Sequence, residues 1–167
     1  MVIQQKITPH LWFAHEAEDA VAFYTSIFKD SKIGHVAHYG EAGHDIHEME
    51  AGTVMTIDFE LEGMRFVALN GGPAFRFNEA ISLIVNCETQ DEVDYYWEKL
   101  SEGGDPEAQQ CGWLKDKYGM SWQITPVGAV EMLNDTDKVK SERVMEAVLK
   151  MKKLDMRALE AVYQQDD

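Results

Sequence analysis

Apolar and polar positions change period several times along the chain, and each change marks an element. The short, aromatic-rich run over 6–13 suits a strand. Ala17, Ala20, Val21, Tyr24, Ile27 and Phe28 then recur at steps of three and four, which lays one apolar stripe along a helix. Positions 32–39 return to a strand, and the polar, glycine-bearing stretch 40–44 reads as a loop. Met55, Ile57, Phe59 and Leu61 alternate with Thr56, Asp58 and Glu60, the period of a strand with one buried face. Glu62-Gly63 predicts a two-residue hairpin turn, with 64–70 as the partner strand. After Gly71-Gly72-Pro73 the order starts again with a strand over 80–86. Val93, Tyr96, Trp97 and Leu100 mark a helix face stopped by Gly103-Gly104. Two short strands over 108–113 and 114–116 and a last one over 121–125 complete the second round.

The two rounds match in detail. Ala20-Val21-Ala22-Phe23-Tyr24 corresponds to Glu92-Val93-Asp94-Tyr95-Tyr96, and Gly63-Met64-Arg65-Phe66 corresponds to Gly119-Met120-Ser121-Trp122. Matches in the same order on the same element types indicate an internal duplication. The expectation is an α+β fold of two βαβββ modules, 6–70 and 79–126, within a domain over 1–127. A helical extension over 128–167 follows. Val144, Met145, Val148 and Leu149 keep a helical period from Ser141 as N-cap, and Asp155 caps a final helix carrying Leu159 and Val162. Such a stripe needs cover from its own chain or from a second copy, and the second option predicts a homodimer.

Composition narrows the partners. With 167 residues and 45% apolar content, the chain can bury a core. Thirty acidic against fifteen basic residues give a net charge of −15, which repels phosphate backbones and anionic lipid. Neither nucleic acid nor a membrane is expected as partner. The opening Met1-Val2-Ile3-Gln4-Gln5-Lys6 lacks the pattern of a secretory signal, no apolar run has membrane-spanning length, and a cytoplasmic location is expected. Cys87 and Cys111 show no paired spacing and read as reduced thiols.

Three segments resemble the PhnB-like proteins of the vicinal oxygen chelate superfamily, a subgroup described as demethylubiquinone methyltransferase-like. They are Ile7-Thr8-Pro9-His10-Leu11-Trp12-Phe13, Glu18-Asp19-Ala20-Val21-Ala22-Phe23-Tyr24, and the long motif from Gly112-Trp113-Leu114-Lys115-Asp116 through Gly119-Met120-Ser121-Trp122-Gln123-Ile124. The tail from Arg143 to Asp155 is similar to the subgroup's own. The resemblance implies the glyoxalase, bleomycin-resistance and dioxygenase fold, in which curled mixed sheets surround a cavity, commonly in a homodimer. It also implies where a divalent metal would sit, near Thr8, Val67, Ala80 and Gln123. None of these is a His or a carboxylate, and a slip in alignment brings in only His10 and Glu79. No metal and no cofactor are therefore expected. A methyltransferase of the doubly wound type needs a glycine-rich turn after its first strand, whereas this strand runs into Phe13-Ala14-His15-Glu16.

All six histidines precede residue 48. His35 and His38 point to opposite faces of a strand, and His44-Asp45-Ile46-His47-Glu48 is either a weak metal cluster or a solvated loop. His10, Trp12, Trp113, Gln123 and Thr125 are the candidate binding residues for a small organic ligand, as aromatic walls with a few polar anchors. Trp122, whose counterpart is Phe66, reads as core, and Asp116 and Lys117 read as turn residues. The leading expectation is a small-molecule-binding protein of this family without an intact metal site. One alternative is an enzyme that uses His10 as general base or a non-standard metal site. The other is a dimeric interaction module with a vestigial cavity.

Overall fold

Seven strands and six helices follow one another through residues 5–165, the part of the chain that the computed structural model describes. The signal reading at Met1, Val2, Ile3 and Gln4 lies outside the described residues. The chain divides into two compact units, with the boundary between Arg76 and Phe77.

The first unit contains β1 (His10–Phe13), α1 (Ala17–Ile27), β2 (Ser31–His38), the single turn α2 (His44–His47), β3 (Val54–Leu61) and β4 (Met64–Asn70). Its sheet runs in the order β1-β4-β3-β2, with β1 parallel to β4 and the other pairs antiparallel. Alternation puts Leu11, Phe13, Ile57, Phe59, Phe66 and Ala68 in the core with the buried face of α1. The β3–β4 hairpin closes through Glu62 and Gly63, both at positive φ (46° and 76°), the turn whose twist suits a hairpin. Glu16 gives α1 no side-chain cap. The cap comes from the end of β4 instead, where the buried Asn70 accepts the Ala17 N–H at 2.9 Å and donates to Glu18 at 2.7 Å. A strand end and a helix start are thereby fastened by one carboxamide. The loop expected over 40–44 leads into α2, a turn too short to leave a periodic signature.

The second unit contains β5 (Leu83–Cys87), α3 (Gln90–Ser101), a 3-10 turn (Pro106–Ala108), β6 (Trp113–Lys115), β7 (Ser121–Pro126), α4 (Val127–Leu133), α5 (Lys138–Val148) and α6 (Met156–Tyr163). Its sheet runs β5-β7-β6, with β5 parallel and β6 antiparallel to β7, repeating the first unit's β1, β4 and β3. The α+β class, the mixed sheets and the C-terminal helices are as expected. The second module departs from βαβββ in one respect, because the strand expected over 108–113 is reduced to an isolated bridge between Gln110 and Trp113. Pro106 opens the 3-10 turn there, and the Cys111 and Gly112 N–H groups are spent on the Met151 and Lys152 carbonyls of the tail (2.8 and 2.7 Å). With those donors committed elsewhere, a fourth strand has no ladder to join.

The tail also differs in detail. Helix α4 starts directly after Pro126, inside the expected helical extension but as a separate helix that the sequence did not single out. The cap of α5 is Asp137, which accepts from the Val139 and Lys140 N–H groups, and Ser141 lies one turn inside, donating back to the Lys138 carbonyl. Asp155 caps α6 as expected. Val144 and Val148 are buried in a cluster with Ala129, Met132, Leu154 and Leu159, while Met145 and Leu149 are exposed. Half of the stripe is thus covered by its own chain. Gln90 of α3 fastens the tail further, donating to the Leu154 carbonyl and accepting from Met156 N–H, and Lys153 pairs with Asp94.

Candidate functional site

Each sheet has one face on its helix and one face turned the other way. On β1, Leu11 and Phe13 are buried while His10 and Trp12 alternate with them, so the latter two lie on the open face. On β7, Trp122, Ile124 and Pro126 face α3, which leaves Gln123 and Thr125 on the open face together with Trp113 of β6. All five candidate residues therefore share one kind of position, His10 and Trp12 in the first unit and Trp113, Gln123 and Thr125 in the second.

The side chains are held to different degrees. Trp12 donates its indole N–H to the Gly72 carbonyl at 2.9 Å and meets Phe75 edge-on at 4.9 Å. Gly71 is required beneath it, because a Cβ there would lie 2.3 Å from the indole. The Gln123 carboxamide donates to the Ser82 hydroxyl at 2.8 Å, and Gln123 is the register partner of Trp113. His10 is exposed, with no hydrogen bond to any of the described residues that would orient it as a base. Ser121, on the Gln123 and Thr125 side of β7 by alternation, keeps a buried hydroxyl with no partner among the described residues.

Sequence reading missed the charged half of the first open face. Across the sheet, His10 pairs with Val67 and Val67 with Asp58, while Arg65 pairs with Glu60 and Glu60 with Lys32. Lys32 bonds Glu60 at 2.6 Å, Arg65 approaches Asp58 at 3.8 Å, and these groups border a depression of about 350 Å³. The signal was present in the polar half of the β3 alternation, Thr56, Asp58 and Glu60.

The register also tests the implied metal. Parallel pairing sets His10, not Thr8, beside Val67, and Ile84, not Ala80, beside Gln123. Each pair offers one nitrogen or oxygen donor and one aliphatic side chain, so neither fits a divalent ion. Among the described residues no three His, Cys, Asp or Glu side chains converge. Glu79 is turned to Lys115, whose hydrogen bond holds its carboxyl below the usual range. His47 has both ring nitrogens engaged, Nδ1 by the Met49 N–H at 3.0 Å and Nε2 by the Ala42 carbonyl at 3.2 Å, so the His44 and His47 cluster offers no free pair of ligands. S-adenosylmethionine finds no cradle in the first unit, where the turn after β1 is Ala14-His15-Glu16 and the sheet is mixed.

The turn at Asp116 is held by its own carboxylate. Asp116 is buried and accepts from the Tyr118 and Met120 N–H groups and from the Trp122 indole at 2.9 to 3.0 Å. Trp122 and its counterpart Phe66 are both core. Both cysteines are free, and burial, with a smaller effect from Glu92, pushes the Cys87 thiol up to about 12. No described helix is long and apolar enough to cross a membrane.

Residues 5–125 match the family model for 3-demethylubiquinone-9 3-methyltransferase. The structure is similar to that of a PhnB protein from Bacillus cereus, assigned by its description to 3-demethylubiquinone-9 3-methyltransferase, at 39% identity and a TM-score of 0.62, over 74% of this chain and 100% of that one. A Pseudomonas aeruginosa protein shares the fold at 18% identity and a TM-score of 0.56, over 74% of this chain and 98% of that one. Among curated proteins nothing matches.

Proposed function

Because the chain belongs to the PhnB-like, 3-demethylubiquinone-9 3-methyltransferase family of the vicinal oxygen chelate superfamily, we propose that it is a cytoplasmic, homodimeric protein that binds a small organic molecule on its open sheet faces without a metal ion. The observation that carries this reading is the common position of His10, Trp12, Trp113, Gln123 and Thr125 on faces their helices leave uncovered. His10 and Trp12 give the first face an imidazole and an aromatic wall, and Trp113, Gln123 and Thr125 give the second an aromatic wall, a carboxamide and a hydroxyl, on each face a mixture that a small-molecule site uses. Unpaired cysteines agree with a reducing compartment. The exposed Met145 and Leu149 are candidates for the contact between copies.

Native mass spectrometry of the protein purified under mild conditions tests the reading directly. The expected species is twice 19.0 kDa plus a retained organic mass, with less than one equivalent of divalent metal after dialysis. Trp12→Ala and Gln123→Ala should each reduce the retained fraction. A bare monomer, combined with no thermal shift from any member of a small-molecule panel, overturns the proposal.

A further inference from the structure

Alternation along β2 breaks at one place. Ile33 and Val36 pair with Phe59 and Ile57, both buried, so two residues, Gly34 and His35, stand opposite the single residue Asp58. Such a bulge turns toward the open face a side chain that strict alternation would send to the covered one. His35 accordingly lines the depression of about 350 Å³, with Lys32 and Arg65 as its other nitrogen-bearing side chains and Asp58 and Glu60 as its carboxylates. Gly34 leaves the flank of Asp58 clear, since a Cβ there would come within 3.3 Å of the Asp58 Cβ. The two ion pairs on this face are unequal. Lys32 is bonded to Glu60 at 2.6 Å, whereas Arg65 reaches Asp58 only through Nη2 at 3.8 Å, beyond hydrogen-bond distance. The guanidinium makes no hydrogen bond to any of the described residues, so a fork of five donors borders the depression with one edge unfilled. Along β4 the same face then becomes apolar. Val67 lies between Asp58 and His10, Leu69 lies between Thr56 and Trp12, and the Trp12 indole stands against Phe75 at the far end. From Arg65 to Leu69 the strand spans about 13 Å.

We propose that the first unit's open face takes a small carboxylate with an elongated apolar body, the carboxylate on Arg65 beside Lys32 and His35 and the body laid along Val67 and Leu69 toward Trp12. The assignment rests on the reading above and gives its ligand a chemical class. A carboxylate matches the unfilled edge of the guanidinium in shape as well as in charge. An ammonium in the same place would meet Lys32 and Arg65 as like charges. A phosphate carries up to twice the charge of a carboxylate, so Asp58 and Glu60 repel it more strongly. The apolar strip sets the other half of the class, because half-buried aliphatic side chains ending at an aromatic wall gain from covering by a body without charge.

Four probes with one body separate the head groups: phenylhexanoate, its amide, phenylhexylamine and phenylhexyl phosphate. Each is titrated into the full chain by calorimetry at low salt, while NMR follows the Arg65 Nε and Trp12 Nε1 signals. The carboxylate should bind about tenfold or more tighter than the amide and move both signals. Arg65→Gln should remove that advantage, and Arg65→Lys should keep only part of it, because lysine returns the charge without the fork. Both variants keep the bonds that Gln5 makes at position 65, which go to the backbone N–H and carbonyl. Asp58→Asn removes the nearest competing carboxylate and should tighten the carboxylate probe, a gain that damaged folding does not produce. A preference for the amine or the phosphate, equal binding of carboxylate and amide, no binding of the carboxylate, or an undiminished advantage in Arg65→Gln would each overturn the assignment. The reading on which it rests fails separately, because native mass spectrometry detects a retained molecule whatever its head group.

Discussion

Trp12 and Gly71 constrain each other, since the indole occupies the space that a side chain at 71 would need. Gly71→Ala should force the indole out and break its bond to Gly72, at a cost of about 1–3 kcal/mol, typical of an overfilled site. Chemical denaturation measures the loss, and Trp12→Phe in the same background should recover part of it. Asp116 presents a comparable case with the opposite chemistry. Its carboxylate serves three N–H donors, and Asp116→Ala leaves the Trp122 indole and the Met120 amide buried without acceptors. A loss of roughly 2–4 kcal/mol is expected, from an unsatisfied penalty of about 1–3 kcal/mol for each stranded donor, partly relieved by water. A variant within a few tenths of a kcal/mol of wild type would show that the turn does not depend on this residue. Cys87 is buried with its thiol pushed up to about 12, so a thiol reagent at neutral pH should modify Cys111 in the folded protein and reach Cys87 only after unfolding.

Elements were legible in the sequence wherever a period ran long enough to repeat. Helix α1, the β3–β4 hairpin and β7 lie where alternation and helical spacing set them, because each buries one face against the same core. What stayed hidden depends on partners far along the chain. The Asn70 cap of α1 lies 53 residues from the N–H it serves, and the strand expected over 108–113 lost its donors to carbonyls about 40 residues away. Asp137 displaced Ser141 as the α5 cap because both residues fit the pattern, and only the fold says where the helix begins. Alternation put His10 and Trp12 on one face of β1 and Gln123 and Thr125 on one face of β7, whereas which face stays open, and the ion pairs beside His10 and Trp12, needed the fold and the β-register. The tail supplies the element-scale prediction. Leu159→Ala, in the centre of the α4–α6 cluster, should cost about 2–5 kcal/mol. A chain ending at Pro126 should lose the second unit's structure, which circular dichroism and hydrogen exchange of β5 and β7 would report. A truncated chain with both strands still protected would contradict this account.

Across the whole molecule, titration should weaken the fold from both ends of the pH scale. Cys87 stays protonated in the folded chain up to about 12, against 9.0 for an ordinary thiol. The unfolded chain therefore holds fewer protons between those values, and stability is full below pH 9 and falls as pH rises through that window. At the acid end, the carboxyl of Asp94 is held low first by its hydrogen bond from Lys153, and that of Asp135 first by its bond from Tyr163. Both contributions are present above 3.8, the ordinary aspartate value, and disappear as pH falls below it. Because both bonds fasten the tail, acid should loosen α5 and α6 before the first unit, and exchange measured unit by unit would show that order. An acid transition that starts in β3 and β4 would refute it. The commitment of the Cys111 and Gly112 amides to the Met151 and Lys152 carbonyls has a further consequence during synthesis. The first unit has every residue it needs once Arg76 is clear of the ribosome. The second has its sheet by Pro126 but lacks the segment that saturates its turn and seals its core until Leu159 emerges. At ordinary elongation rates of about 5–20 residues per second, that interval lasts roughly two to seven seconds. During it the nascent second sheet carries an unfinished edge, so a ribosome that pauses there prolongs the period in which chaperones, or a neighbouring nascent chain, can engage it.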